Sequence, residues 1–181
     1  MASRGDQPTW AVPDLDRDSR VESAAILLQL SGRPARERGL LVPSLPPMPS
    51  PSKDIVARLY SEVSRGNLDV IDELLANDFV EHEVLPGLPP TRAGVRQMFA
   101  GMRTGFPDFQ IVAEDMIAED DKVFVRGTMR GTQRGVFMDI PASGKSVAVP
   151  FADFFRLTQG RVVEHWGVSD FGSMMQQLGA A

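Results

Sequence analysis

Two titratable side chains, Asp153 and His165, sit on neighbouring stretches that both read as β-strand, and their spacing sets what chemistry they could share. The stretches Lys145 to Leu157 and Arg161 to Val168 are rich in Val and Phe and are separated by Thr158-Gln159-Gly160. Read as a three-residue hairpin loop with Gly160 in the left-handed position, this connection pairs Leu157 with Arg161. Phe155 then faces Val163, Asp153 faces His165, and Phe151 faces Gly167, all on one side of the sheet. A carboxyl and an imidazole between two phenylalanines make an apolar wall with a titratable patch. Burial there raises a carboxyl pKa and a neighbouring imidazolium lowers it, a balance suited to acid/base work near neutral pH. The plainer reading is that the two groups only satisfy each other across the sheet.

The elements that position this pair follow from periodicity. From Lys53 onward, Ser52 can cap a helix whose Ile55, Val56, Leu59 and Val63 form one stripe, and Gly66-Asn67 can end it. A second helix carries Leu68, Ile71, Leu74 and Leu75. After Leu85-Pro86-Gly87-Leu88-Pro89-Pro90, a third from about Thr91 to Thr104 presents Val95, Phe99 and Met102, and Pro107 forbids its continuation. Strand composition then takes over in residues Phe109 to Ile117, Lys122 to Arg134 and the two strands above, and a short helix, Phe171 to Leu178, closes the chain. Helices first and a meander of strands afterwards predict an α+β fold: a curved antiparallel sheet packed against three N-terminal helices as a cone.

Composition narrows the function classes. The chain has 181 residues and a formal charge of -5, with no clustered Lys and Arg, so no nucleic-acid partner is expected. No cysteine is present, which removes disulfides, thiol nucleophiles and Cys-ligated zinc. The two histidines have no HxH or HxxxH spacing, so no metal site is expected. The longest apolar run, Ala24 to Leu30, is too short to cross a bilayer, and no basic leader precedes it. A cytoplasmic location is the expectation. Eight of the fourteen prolines fall before residue 52 and only one aromatic residue does, so residues 1–52 are expected to be a mostly disordered extension and residues 53–181 the folded domain. Met48 is an alternative start, and removing residues 1–48 is expected to leave the domain folded.

Several short pieces together resemble the SnoaL-like polyketide cyclase and ester cyclase family, within the wider nuclear transport factor two-like fold. They are Phe79-Val80-Glu81-His82, Gly105-Phe106-Pro107-Asp108, Asp121-Lys122-Val123-Phe124-Val125-Arg126, Gly131-Thr132-Gln133-Arg134-Gly135, Pro141-Ala142-Ser143-Gly144-Lys145, and Glu164-His165-Trp166 followed by Gln177-Leu178-Gly179. The resemblance spans roughly Lys53 to Gly179 and implies a cone with a buried pocket. It also implies an inward-facing acid directly after Glu-His-Trp, where this chain has Gly167. Asp153 and His165 are then the inferred acid/base pair, with Tyr60, His82, Phe99, Met102, Arg126, Phe151, Phe155, Gly167 and Asp170 around the pocket.

His82 is placed there because relatives often carry a histidine at that point. Arg126, in an apolar run, either pairs with Asp153 or Asp170, holds a substrate oxygen, or lies on a solvated face. Asp170 also suits the cap of the closing helix. The activity implied is a cofactor-independent, aldol-type ring closure on an apolar polyketide-like substrate. An epoxide hydrolase built on Asp153, Asp170 and Arg126, a ketosteroid-isomerase-like proton transfer using Tyr60, and a non-catalytic binder are the alternatives. Phe154 and Trp166 on the convex face are expected to form a homodimer contact.

Overall fold

The computed structural model describes residues 50–83 and 86–180. The expectation for residues 1–52 therefore lies almost wholly outside the described residues.

Helix α1, Pro51–Arg65, begins two residues before the sequence suggests. Pro51 has a backbone angle already set for a first helical turn, so the helix starts there with Ser50 at the cap position, and Ser52 lies inside it. Gly66, at φ 91°, ends the helix, as expected of a left-handed cap. Val56, Leu59, Tyr60 and Val63 face the core. Helix α2, Asp69–Leu74, is short and is followed without a break by strand β1, Leu75–Glu81. That strand was not expected. Its Asn77 and Asp78 are poor strand formers, and the segment takes extended form by pairing in parallel with the edge of the sheet.

Helix α3, Arg92–Gly105, has Thr91 at its N-cap position and buries Met102, while Val95 and Phe99 pack half-buried on the core. Strands β2, Gln110–Glu119, β3, Lys122–Thr132, β4, Ser146–Thr158, and β5, Arg161–Ser169, form an antiparallel meander, and α4, Phe171–Leu178, closes the fold. The sheet order is β1-β5-β4-β3-β2. The fold is α+β as expected, with one parallel edge added to the antiparallel sheet.

The faces of the sheet are sharply divided. Along β4, Val147, Val149, Phe151, Asp153, Phe155 and Leu157 are buried. Val123, Val125 and Gly127 of β3 continue the same inner face, and α1 covers it. The irregular segment after β3 is held by Gln133, fully buried, which donates to Ile140 O and accepts from Ser143 N and Oγ.

The β4–β5 register differs from the sequence expectation by two residues. Thr158 pairs with Arg161 across a two-residue turn in which Gln159 and Gly160 both have positive φ, 51° and 77°. Leu157 then faces Val162, but Arg156 faces Glu164, so Val163 is an extra residue in a β-bulge. Asp153 is consequently opposite Gly167, and Phe155 is opposite His165. The expected pairing of Asp153 directly with His165 is wrong. A two-residue difference preserves side-chain alternation, so the two still share the inner face as diagonal neighbours. Val162, which alternation with an inward Val163 would put on the outer face, is fully buried because the bulge follows it.

Candidate active site

The inner face of β4 and β5 meets α1 at three side chains. The Tyr60 hydroxyl donates to Asp153 Oδ2 at 2.5 Å. His165 Nε2 lies 3.4 Å from Asp153 Oδ1, and its Nδ1 is 2.8 Å from both oxygens of Glu81. The aromatic frame is close on every side. Tyr60 meets Phe151 and Phe155 edge-on, with centroids 5.8 and 6.0 Å away, and the His165 ring tilts over Phe155 at 4.7 Å.

Burial, the largest single influence on the imidazole, pushes its pKa down. It is outweighed by the two carboxylates that face the ring, Asp153 and Glu81, and His165 is raised to about 10. The ring is therefore an imidazolium at neutral pH. Its Nδ1–H donates to Glu81. The Asp153 contact is an ion pair without hydrogen-bond alignment, so Nε2–H is buried and has no hydrogen-bond partner. Burial beside Asp153 raises the Tyr60 pKa well above its ordinary value, which keeps the hydroxyl a donor.

Two glutamates enter the site that the sequence reading had not singled out. Glu81, at the end of β1, holds His165 and also accepts the backbone N–H of Glu83 at 2.8 Å. Glu83 reaches back over β5. A Cβ placed on Gly167 would collide with Glu83 Oε2, approach His165 Cε1 to 2.8 Å and come within 3.2 Å of Asp153 Oδ1. Desolvation raises the Glu83 pKa, and the charges of Asp153 and Glu81 add to it, against the His165 charge and a Ser169 hydrogen bond. The available signal was the alternation Glu81-His82-Glu83, which puts both acids on one face if β1 is extended.

Two cavities adjoin these groups, and a third lies beyond them. The innermost, about 50 Å³, is bordered by Tyr60, Glu83, Phe99, Met102, Phe151, Asp153 and His165. A second, about 100 Å³, shares Glu83 and His165 with it and is walled by Leu88, Pro89, Val95 and Met98. Met98, Met102 and Phe171 separate the inner cavity from an outer apolar cleft of about 700 Å³, which Phe137, Met138 and Met175 also line. The cleft lies in the size range of small-molecule sites.

Tyr60, Phe99, Met102 and Phe151 thus border the inner cavity with Asp153 and His165. The remaining expected residues fall elsewhere. His82 projects to the other face, where it stacks on Trp166 with centroids 4.4 Å apart and lies 3.6 Å from Glu164. One residue of strand alternation separates it from the Glu81 side. Arg126 is on the outer face too, paired with Glu114 and Asp115 of β2, which removes the arginine that an epoxide hydrolase site would need. Asp170 caps α4, accepting from Ser173 N at 2.9 Å. Phe155 is buried behind His165 and borders none of the three cavities. Gly167 contributes space for Glu83. Tyr60 points at Asp153, so its hydroxyl is engaged rather than free for a substrate oxyanion. Among the described residues no cluster of three or more His, Asp or Glu side chains is arranged to hold a metal ion. No helix among them is long and apolar enough to cross a membrane.

Residues 54–178 match the family model of the SnoaL-like polyketide cyclases, and the chain belongs to that family. No curated protein sequence matches it. Among solved structures, IdmH of Streptomyces antibioticus, described as a candidate polyketide cyclase, is 33% identical with a TM-score of 0.63, covering 71% of this chain and 98% of IdmH. A SnoaL-like candidate polyketide cyclase from Jannaschia sp. CCS1 is 27% identical with a TM-score of 0.64, covering 76% of this chain and 97% of that one. AclR of Streptomyces galilaeus, described as a candidate hydroxylase, is also 27% identical, with a TM-score of 0.64 and coverage of 72% and 96%. Relatives described by different activities leave the reaction to be argued from the site.

Proposed function

We propose that this chain is a cofactor-independent cyclase of the cytoplasm that closes a ring in an apolar polyketide-like ester by an intramolecular aldol-type step. The observation that carries the reading is the buried, unpartnered Nε2–H of a cationic His165 beside Asp153 and a cavity. Such a donor suits an oxygen that gains negative charge during reaction. Asp153 serves as the base that removes the proton between two carbonyls. His165 Nε2–H stabilises the enolate oxygen. This role replaces the acid/base part inferred for His165 from the sequence, since an imidazolium held by Glu81 has no free lone pair to accept a proton.

The inner cavities suit the reacting carbonyls and the outer cleft the remaining apolar chain, excluding water and favouring a folded conformer. The outer face, with Phe154 and Trp166 in edge-on contact at 5.7 Å, supports a homodimer contact in the same proposal.

The test is deuterium exchange and ring closure of a linear aryl β,δ,ζ-triketo methyl ester in D2O, followed by NMR. Asp153→Asn and His165→Gln should each slow both steps by about 100-fold or more. Binding of the ester with neither exchange nor closure by the wild-type chain would instead establish a non-catalytic binder.

A further inference from the structure

We propose that Glu83 is a catalytic carboxyl of this site, delivered from the segment after β1 into the space that Gly167 leaves open on β5. The inference rests on the cyclase reading and extends it to a second reacting group. Its ground is geometric. Glu83 Oε2 occupies the volume of the missing Cβ at Gly167, so a second carboxyl stands beside Asp153 at this point although β5 itself supplies none. Glu83 borders both inner cavities, so a ligand there touches it. Its backbone is tied down by Glu81, the same carboxylate that orients His165.

The groups around it define its role. Asp153 and Glu81 are like-charged neighbours, His165 opposes them with one positive charge, and Ser169 offers a hydroxyl. Two carboxylates and a half-buried carboxyl around one imidazolium favour keeping a proton on the least paired of the three, and among the described residues Glu83 makes no ion pair. A protonated Glu83 complements Asp153. In the ring-closing step, Asp153 takes the proton from the carbon between two carbonyls, and the electron pair moves onto the enolate oxygen facing His165 Nε2–H. That carbon then forms the new bond to the electrophilic carbonyl carbon, whose π electrons pass to its oxygen. Glu83 gives its proton to this alkoxide. Asp153 ends protonated and Glu83 ionised, and solvent returns both to their starting states with no net gain or loss of protons.

The experiment uses the full chain with the same aryl β,δ,ζ-triketo ester, and α-proton exchange and ring closure are read separately across pH. Exchange reports the Asp153 and His165 step, and closure reports the step assigned to Glu83. Wild-type closure should fall as pH rises past the ordinary carboxylate range. Glu83→Gln should close the ring about 100-fold more slowly, with that pH limb gone and exchange slowed by less than about tenfold, whereas Glu83→Asp should retain the limb. A Glu83→Gln variant that closes the ring at the wild-type rate, or that loses exchange and closure equally, overturns this assignment alone. A wild-type chain that exchanges no α-protons overturns the cyclase reading, and the role of Glu83 with it.

Discussion

Tyr60 and Asp153 are joined by a buried hydrogen bond of 2.5 Å that ties α1 to the centre of β4. It is a polar contact placed among phenylalanines, so removing the donor leaves a buried carboxylate oxygen short of a partner. Tyr60→Phe should cost about 1–3 kcal/mol, measured by urea unfolding, with the unfolding slope unchanged. Stability equal to wild type would show that Asp153 finds another donor.

The charge on His165 makes stability depend on pH in one direction. Its folded pKa of about 10 lies above the ordinary histidine value of 6.5, so the folded chain binds a proton more tightly than the unfolded chain. That contribution is fully present below pH 6.5 and is lost as pH rises through 10. Thermal midpoints should therefore fall between about pH 7 and 10 in the wild type, and more steeply than in His165→Gln. Parallel curves for the two would mean that the imidazole is neutral in the fold.

Gly167 should not accept a side chain freely. In Gly167→Ala the methyl meets both Glu83 and His165, and the histidine is pinned by Glu81, so only Glu83 can swing aside. A loss of about 1–3 kcal/mol is expected, with part of it recovered in Glu83→Ala/Gly167→Ala. Additive effects in that double-mutant cycle would separate the two residues. By the same argument Gly167→Asp displaces an acid rather than adding one, and turnover should not rise.

Trp166→Glu tests the outer face. The indole stacks on His82 and meets Phe154 edge-on while remaining about one-third exposed, at 37%. If this face joins two copies, solution scattering should give a dimer for the wild type and a monomer for the variant, with the circular dichroism of the fold retained.

The helices and the meander were legible because their signals are local: helical stripes at Val56, Leu59 and Val63, and alternation along β4. The shared face of Asp153 and His165 was legible for the same reason. What was not legible depended on tertiary pairing. Strand β1 has no signal of its own until β5 lies beside it, its first residue Leu75 reading as helix, and without β1 neither Glu81 nor Glu83 has a direction. The role of Gly167 was equally hidden, since a glycine in sequence reports a missing side chain but not which other residue fills the gap. His82 was misplaced by one step of alternation. Arg126 found its acceptors in Glu114 and Asp115, acids expected only to lie on a neighbouring strand.

The extra residue at Val163 has a consequence for how this hairpin tolerates change. It acts as a phase shifter: residues 161–162 and residues 164–169 alternate out of step with each other, and only the second set is aligned with the cavities. Straightening the bulge with Val163 retained would turn that second set over as a block, sending His165 toward solvent and Trp166 into the core, whereas deleting Val163 would leave Leu157–Val162 and Arg156–Glu164 as successive pairs with His165 still inward. Lengthening or shortening the turn at Gln159-Gly160 by a matched pair of residues would leave the same set in phase. The hairpin tip is thus free to vary in even steps, while the bulge at Val163 absorbs the odd residue between the turn and the site and so keeps the site on its face.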